Sequence, residues 1–167
     1  MRRRAVWLAG AAGAALLMAG CTTPKVAAVR NAGQPSGAWN GRLALRVEGD
    51  EKQSFSALFD LRGSPRAGEL ALTTPIGNTL AVLQWSPGEA LLKNGNQTRR
   101  YDSVDALIEA ATGAAIPVDA LFGWLAGRDE PVPGWKADLS QYGNGRLQAM
   151  RFSPQPAADL RIVFERQ

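Results

Sequence analysis

Trp39-Asn40-Gly41-Arg42-Leu43-Ala44-Leu45-Arg46-Val47, followed after a short loop by Ser54-Phe55-Ser56-Ala57-Leu58-Phe59-Asp60-Leu61, is the stretch that decides the fold. In the first run Trp39, Gly41, Leu43, Leu45 and Val47 recur at every second position, with Asn40, Arg42 and Arg46 between them. In the second, Phe55, Ala57, Phe59 and Leu61 are offset from Ser54, Ser56 and Asp60. Successive side chains of a strand point to opposite faces, so this period of two predicts strands with one dry face. Gly49-Asp50 in the intervening loop makes the pair a hairpin.

The pattern continues downstream. Glu69–Thr73 reads as a third strand, with Leu70 and Leu72 on one side. Thr79–Trp85 reads as a fourth, apolar on both faces, with Leu80 and Val82 set against Ala81 and Leu83. Asn94-Gly95 joins strands at Ala90–Lys93 and Gln97–Tyr101, because this dipeptide accepts the positive φ of a tight hairpin turn. The period then changes. Ser103 suits an N-cap, Asp105 sits where the helix dipole favours it, and Val104, Leu107, Ile108 and Ala111 share a face before Gly113 ends the helix. A second short helix starts near Pro117 and closes at Gly127. Its Val118, Leu121, Phe122, Trp124 and Leu125 surround much of its circumference, so it must lie against a large dry surface. Strands resume at Trp135–Leu139, Arg146–Phe152 and Leu160–Phe164, with Asn144-Gly145 and Pro154-Gln155-Pro156 as turns. Strands, two helices, then strands predict a mainly β domain: a curved antiparallel sheet with the helices inserted between its two halves.

Upstream of Trp39 the chain is of another kind. Arg2, Arg3 and Arg4 precede an apolar run from Ala5 to Met18, which at about 14 residues fits a signal-peptide core and is short for a membrane span. It ends in Leu17-Met18-Ala19-Gly20-Cys21, a lipobox-like sequence in which small residues precede the cysteine that takes a diacylglyceryl group. Residues 1–20 are therefore expected to be removed and Cys21 to carry lipid. Thr22, rather than aspartate, follows Cys21, which favours placement in the outer membrane. Residues 21–36 hold Pro24, Pro35, Gly33 and few groups to bury, and read as the lipidated N-terminus and a flexible tether. Residues 37–167 read as a single domain long enough for a real core.

Several classes of function are excluded or weakened by composition. The chain has no histidine, which removes histidine metal sites and Ser-His or Cys-His pairs. Cys21 is the only cysteine, so no internal disulfide forms. Without Arg2, Arg3 and Arg4 the basic residues fall from 19 to 16, against 15 acidic ones, and no basic stripe for nucleic acid remains. The adjacent carboxylates Asp50-Glu51 and Asp129-Glu130 fall in loops, no Gly-x-Ser-x-Gly elbow is present, and no glycine-rich phosphate loop occurs. No catalytic residues, metal or cofactor are expected, and the chain is not expected to be an enzyme.

What remains is hydrophobic. In Thr73-Thr74-Pro75-Ile76-Gly77-Asn78-Thr79 a branched apolar residue sits among three turn formers. Ile76 either stands exposed at the turn tip or folds back onto the sheet as a plug, and the residues alone do not choose.

Gly68-Glu69-Leu70-Ala71-Leu72-Thr73-Thr74-Pro75-Ile76-Gly77-Asn78-Thr79, then Thr112-Gly113-Ala114-Ala115-Ile116-Pro117-Val118 and Trp124-Leu125-Ala126-Gly127, together resemble the LolB family of outer-membrane lipoprotein receptors. Trp39-Asn40-Gly41-Arg42-Leu43 and the lipobox fit the same family, and the resemblance covers nearly the whole mature chain. The chain departs from it at the end, where no tryptophan follows Phe164 and the last strands look shortened. The resemblance implies an incomplete, unclosed antiparallel β-barrel with a helical lid over a hydrophobic cavity. It implies a monomeric receptor, lipid-anchored in the outer membrane and facing the periplasm. Such a receptor accepts lipoproteins from the periplasmic carrier LolA and inserts them, acyl chains first shielded, into the inner leaflet of that membrane. It also implies that Thr74, Pro75, Ile76, Gly77 and Asn78 form a membrane-delivery loop with Ile76 exposed. Cavity residues are expected at Leu43, Leu45, Phe55, Phe59, Leu70, Leu72, Leu80 and Val82 on the sheet, and at Leu107, Ile108, Leu121, Trp124 and Leu125 on the helices. The competing expectation is a lipid-anchored protein that binds another hydrophobic ligand or partner without transferring lipoproteins.

Overall fold

The computed structural model describes residues 36–49 and 53–167. Cys21, the signal segment and the tether lie outside the described residues. The elements follow in the order β1 (Gly37–Val47), β2 (Gln53–Gly63), β3 (Gly68–Thr73), β4 (Thr79–Ser86), β5 (Glu89–Asn94), β6 (Gln97–Tyr101), α1 (Val104–Thr112), α2 (Val118–Leu125), β7 (Trp135–Asp138), β8 (Arg146–Arg151) and β9 (Ala158–Arg166). A 3-10 turn, Tyr142–Asn144, precedes β8.

All nine strands join one antiparallel sheet in the order β6-β5-β4-β3-β2-β1-β9-β8-β7. β6 and β7 are its two edges, and among the described residues no strand pair links them, so the sheet curls without closing into a barrel. The helices connect those two edges across the concave side. This is the expected fold: mainly β, an unclosed antiparallel barrel with two inserted helices.

β1 lies beside the central strand β2, paired with it along its whole length and with β9 from Trp39 to Val47. The strands come close here because β1 carries Gly41: a side chain at that position would run into the Val163 carbonyl. β9 is longer than its hydrophobic pattern suggests, because Glu165 and Arg166 still pair with Asn40 and Trp39. Their side chains are exposed, so backbone pairing rather than burial extends the strand.

The core follows the period-two pattern. Trp39, Leu43, Leu45 and Val47 of β1, Ala57, Phe59 and Leu61 of β2, Leu70 and Leu72 of β3, and Leu160, Ile162 and Phe164 of β9 are all buried on the concave side. One strand departs from expectation. On β4 it is Ala81, Leu83 and Trp85 that are buried, whereas Leu80 and Val82 are only half-buried. Their partners give the reason. Ala81 stands opposite Leu72 and Leu83 opposite Leu70, while Val82 stands opposite Ala71 and Lys93 on the other face. Val82 is therefore withdrawn from the concave face and Leu80 is left at the margin of the core, and Ala81, Leu83 and Trp85 take their place.

Candidate functional site

The concave face is occupied by α2. Seven of its eight residues are buried: Val118, Ala120, Leu121, Phe122, Gly123, Trp124 and Leu125. Phe122 enters between two tryptophans of the sheet, edge-on to Trp39 at 5.7 Å and to Trp85 at 6.3 Å between ring centroids. Trp124 reaches the opposite edge of the sheet, 5.8 Å from Trp135 of β7. The helix thus fills the trough from β4 to β7. It is eight residues long and short of the length at which a helix holds itself together in water, so packing against the sheet stabilises it.

Few polar contacts fix it there. Pro117 precedes the helix and offers no side-chain cap. The first N–H, that of Val118, instead donates to the carboxylate of Asp105 on α1 at 3.0 Å. At the other end the Tyr142 hydroxyl donates to the Leu125 carbonyl at 3.0 Å. α1 itself begins as its sequence predicts, with the Ser103 hydroxyl accepting from the Ala106 N–H and Gly113 closing it at φ 88°. Leu107 and Ile108 of α1 are buried, and the helix packs on β4, β5 and β6.

Two groups oppose closure. The indole N–H groups of Trp39 and Trp124 are buried without a hydrogen-bond partner. Each such donor costs about 1–3 kcal/mol relative to being satisfied. Against this, burying Leu121, Phe122, Trp124 and Leu125 contributes about 1.5–3 kcal/mol apiece, as an upper range. The lid is therefore held almost entirely by apolar contact, with a modest net margin.

The residues expected to line the site are thus brought together in part. Leu43, Leu45, Phe59, Leu70, Leu72, Leu107, Ile108, Leu121, Trp124 and Leu125 belong to one buried apolar cluster. Phe55 and Leu80 are half-buried at its margin, and Val82 lies outside it. Trp39, Leu83, Trp85 and Phe122 are central to the cluster, although none was singled out for it. Trp39 and Phe122 were legible as dry-face residues; Trp85 was legible only once the inward parity of β4 was known. A cleft of ≈770 Å³ lies on the other face of the sheet beside Arg42, Leu58, Asp60 and Ala71. It is polar-edged and separate from the apolar trough. Among the described residues no group of three Asp, Glu, His or Cys side chains is placed to hold a metal ion.

The β3–β4 loop is the second feature. The Thr74 N–H donates to the Asn78 carbonyl at 2.8 Å, the Gly77 N–H to the Thr74 carbonyl at 2.9 Å, and the Asn78 N–H to the Thr74 hydroxyl at 3.0 Å. Gly77 takes φ 90°, a left-handed conformation that suits glycine. The knot leaves Ile76 at its tip, 84% exposed. Of the two alternatives open in the sequence, the exposed tip is the one found.

This architecture has close relatives. The family model described as outer membrane lipoprotein LolB matches residues 38–158. The outer-membrane lipoprotein LolB of Bordetella pertussis is 38% identical, over 89% of this chain and 86% of that protein. That of Bordetella petrii is 34% identical, over 89% and 85% respectively. That of Cupriavidus pinatubonensis is 35% identical, over 83% and 68%. With an unclosed nine-stranded sheet, a buried apolar helix across it and this extent of similarity, the chain belongs to the LolB family of outer-membrane lipoproteins.

Proposed function

We propose that this protein is an outer-membrane receptor for lipoproteins, anchored through lipid on Cys21 and facing the periplasm. It takes cargo from the carrier LolA, shelters the acyl chains in the trough that α2 otherwise fills, and releases them into the inner leaflet of the outer membrane through the Ile76 loop. The partners are the carrier, the acylated N-terminus of the cargo, and the bilayer.

The observation that carries this reading is α2 itself. Shielding an acyl chain of about 14 methylenes is worth roughly 11 kcal/mol at ~0.8 kcal/mol each. The four large side chains with which α2 fills the trough contribute roughly 6–12 kcal/mol by the same accounting. The two quantities match, so an acyl chain and α2 can exchange places on the concave face at little net cost. Uptake then needs an acyl chain whose previous shelter was no better, and release needs a bilayer that is slightly better. Neither step calls for nucleotide hydrolysis.

A transfer assay tests the whole sequence. Radiolabelled lipoprotein complexed with the carrier is mixed with the lipidated protein and outer-membrane vesicles. Label should move to this protein and then to the vesicles. Label that stays with the carrier would refute the proposal and leave a binding protein for some other hydrophobic ligand.

A further inference from the structure

Ile76 is not the only large apolar side chain held in water. Phe152 is 61% exposed and Met150 53% exposed. Both point to the outer face at the end of β8, and the sheet topology places them on the same rim as Ile76. Ala158 and Val47 pair, so the β8–β9 loop stands beside the β1–β2 hairpin. The β3–β4 loop leaves its strands in the same direction, since β3 runs antiparallel to β2. Three strands lie between β3 and β8 in the sheet. At ~4.8 Å per strand step the two apolar points stand about 20 Å apart along the sheet.

Phe152 is presented as firmly as Ile76. Its N–H donates to the Gly134 carbonyl at 2.9 Å, and the Ser153 N–H reaches the same oxygen at 3.3 Å. Gly134 takes φ 79° and lies so close that any side chain there would strike the Ser153 carbonyl. Arg151 closes the loop from inside, donating from Nε at 3.1 Å and Nη2 at 2.9 Å to the Pro156 carbonyl. Backbone contacts on both sides thus hold the ring outward.

We propose that Phe152 and Met150 form a second membrane contact, which inserts into the same phospholipid surface as Ile76 and fixes the tilt of the barrel on it. This rests on the delivery role proposed above. The chemistry around the pair fits an anionic lipid surface. Lys136, Met150, Asp159 and Arg46 are successive partners across β7, β8, β9 and β1, and so share the outer face. Asp159 is engaged by Gln148 and Arg161, at 2.7 Å and 2.9 Å. Exposed Lys136 therefore lies beside Met150 and exposed Arg46 beyond Asp159, and a ≈600 Å³ cleft lined by Arg46, Glu48, Arg151 and Phe152 adjoins them, so that among the described residues here cations outnumber the one exposed carboxylate left unneutralised, Glu48. Rigid apolar points about 20 Å apart suit a fluid bilayer, which needs no shape match. A partner protein would need a contiguous patch of about 800 Å².

The test uses the lipidated full chain. Cys21 is the only cysteine, and with its sulfur in a thioether an introduced cysteine is the sole labelling site. Ile76→Cys, Met150→Cys, Phe152→Cys and, on the opposite rim, Ser86→Cys are labelled with a fluorophore and reconstituted in phosphatidylethanolamine–phosphatidylglycerol vesicles containing doxyl-labelled lipid. Positions 76, 150 and 152 should be quenched and position 86 not. Phe152→Ser should slow deposition of cargo about tenfold, the loss expected for one aromatic insertion, without slowing uptake from the carrier. Quenching at 76 alone would overturn the second contact and leave the delivery loop standing. Quenching at none of them would remove the delivery reading itself. Shielding at 152 that appears only when the carrier is added would assign this surface to the carrier and overturn the proposal.

Discussion

Phe122→Leu separates a lid from an ordinary core. The phenylalanine makes two edge-on aromatic contacts, with Trp39 and Trp85, and is fully buried. Leucine keeps an apolar side chain in the trough but loses both contacts, which are worth about 0.5–1.5 kcal/mol each. The substitution should thus weaken closure by roughly 1–3 kcal/mol, or about 5- to 150-fold in the equilibrium between closed and displaced α2. If α2 occupies the space that an acyl chain takes, this weakening favours the ligand, because a bound chain no longer displaces the full aromatic contact. The thermal midpoint should fall by several degrees while affinity for a fluorescent acyl probe rises. Both are read on one sample, by differential scanning fluorimetry and by probe titration at a temperature well below either midpoint. If affinity falls in step with stability, Phe122 is core packing and α2 is not an exchangeable lid.

Three further outcomes follow from the same geometry. Ile76→Glu should fold normally, since the side chain is 84% exposed, and should still accept cargo; it should fail to deposit it, so that loaded protein accumulates in the vesicle assay. An unfolded variant, or one unable to take up cargo, would show that the loop serves the core or the carrier instead. Cys21→Ala should leave a precursor that is neither lipidated nor normally cleaved, read by palmitate labelling and membrane fractionation; lipidated wild-type protein found chiefly in the inner membrane would contradict the proposed location. Removal of residues 24–33 should leave lipidation and folding intact yet abolish deposition. Gly37 begins β1 at the rim opposite Ile76, and the 11 residues of β1 span about 36 Å, or about 28 Å of barrel height once tilted. The intact segment from Cys21 reaches about 55 Å when extended, the shortened one only about 20 Å, so the loop should no longer touch the membrane that holds the anchor.

Much of the scaffold was legible because its causes are local. The alternation in Trp39–Val47 and Phe55–Leu61 needs only the pleat of a strand to become a dry face, and both strands form with those residues buried or half-buried inward. Asn94-Gly95 turns β5 into β6, and Gly95 takes the positive φ of 55° that the dipeptide foretells. Ser103 and Gly113 bracket α1 as their capping chemistry requires. Even the need for α2 to be buried was readable, since Leu121, Phe122, Trp124 and Leu125 leave such a short helix no wet face to spare.

The remaining choices belong to partners distant in sequence. β4 is apolar on both faces, so its own residues do not say whether Leu80 and Val82 or Ala81 and Leu83 point inward; the register with β3 decides for Ala81 and Leu83 by setting them opposite Leu72 and Leu70. Pro117 signals a helix start, but the Val118 N–H is capped by Asp105, 13 residues before Val118, once α1 and α2 are side by side. Phe152 reads as the end of an apolar strand, yet β8 stops one residue before it, and the Gly134 carbonyl turns the chain there and leaves the ring outside. The sequence by itself determined which segments alternate, turn or coil, because those preferences are carried within a few bonds. Only the tertiary structure decided which apolar side chains are sheltered and which stand in water, because that depends on the strand, helix or loop that arrives opposite.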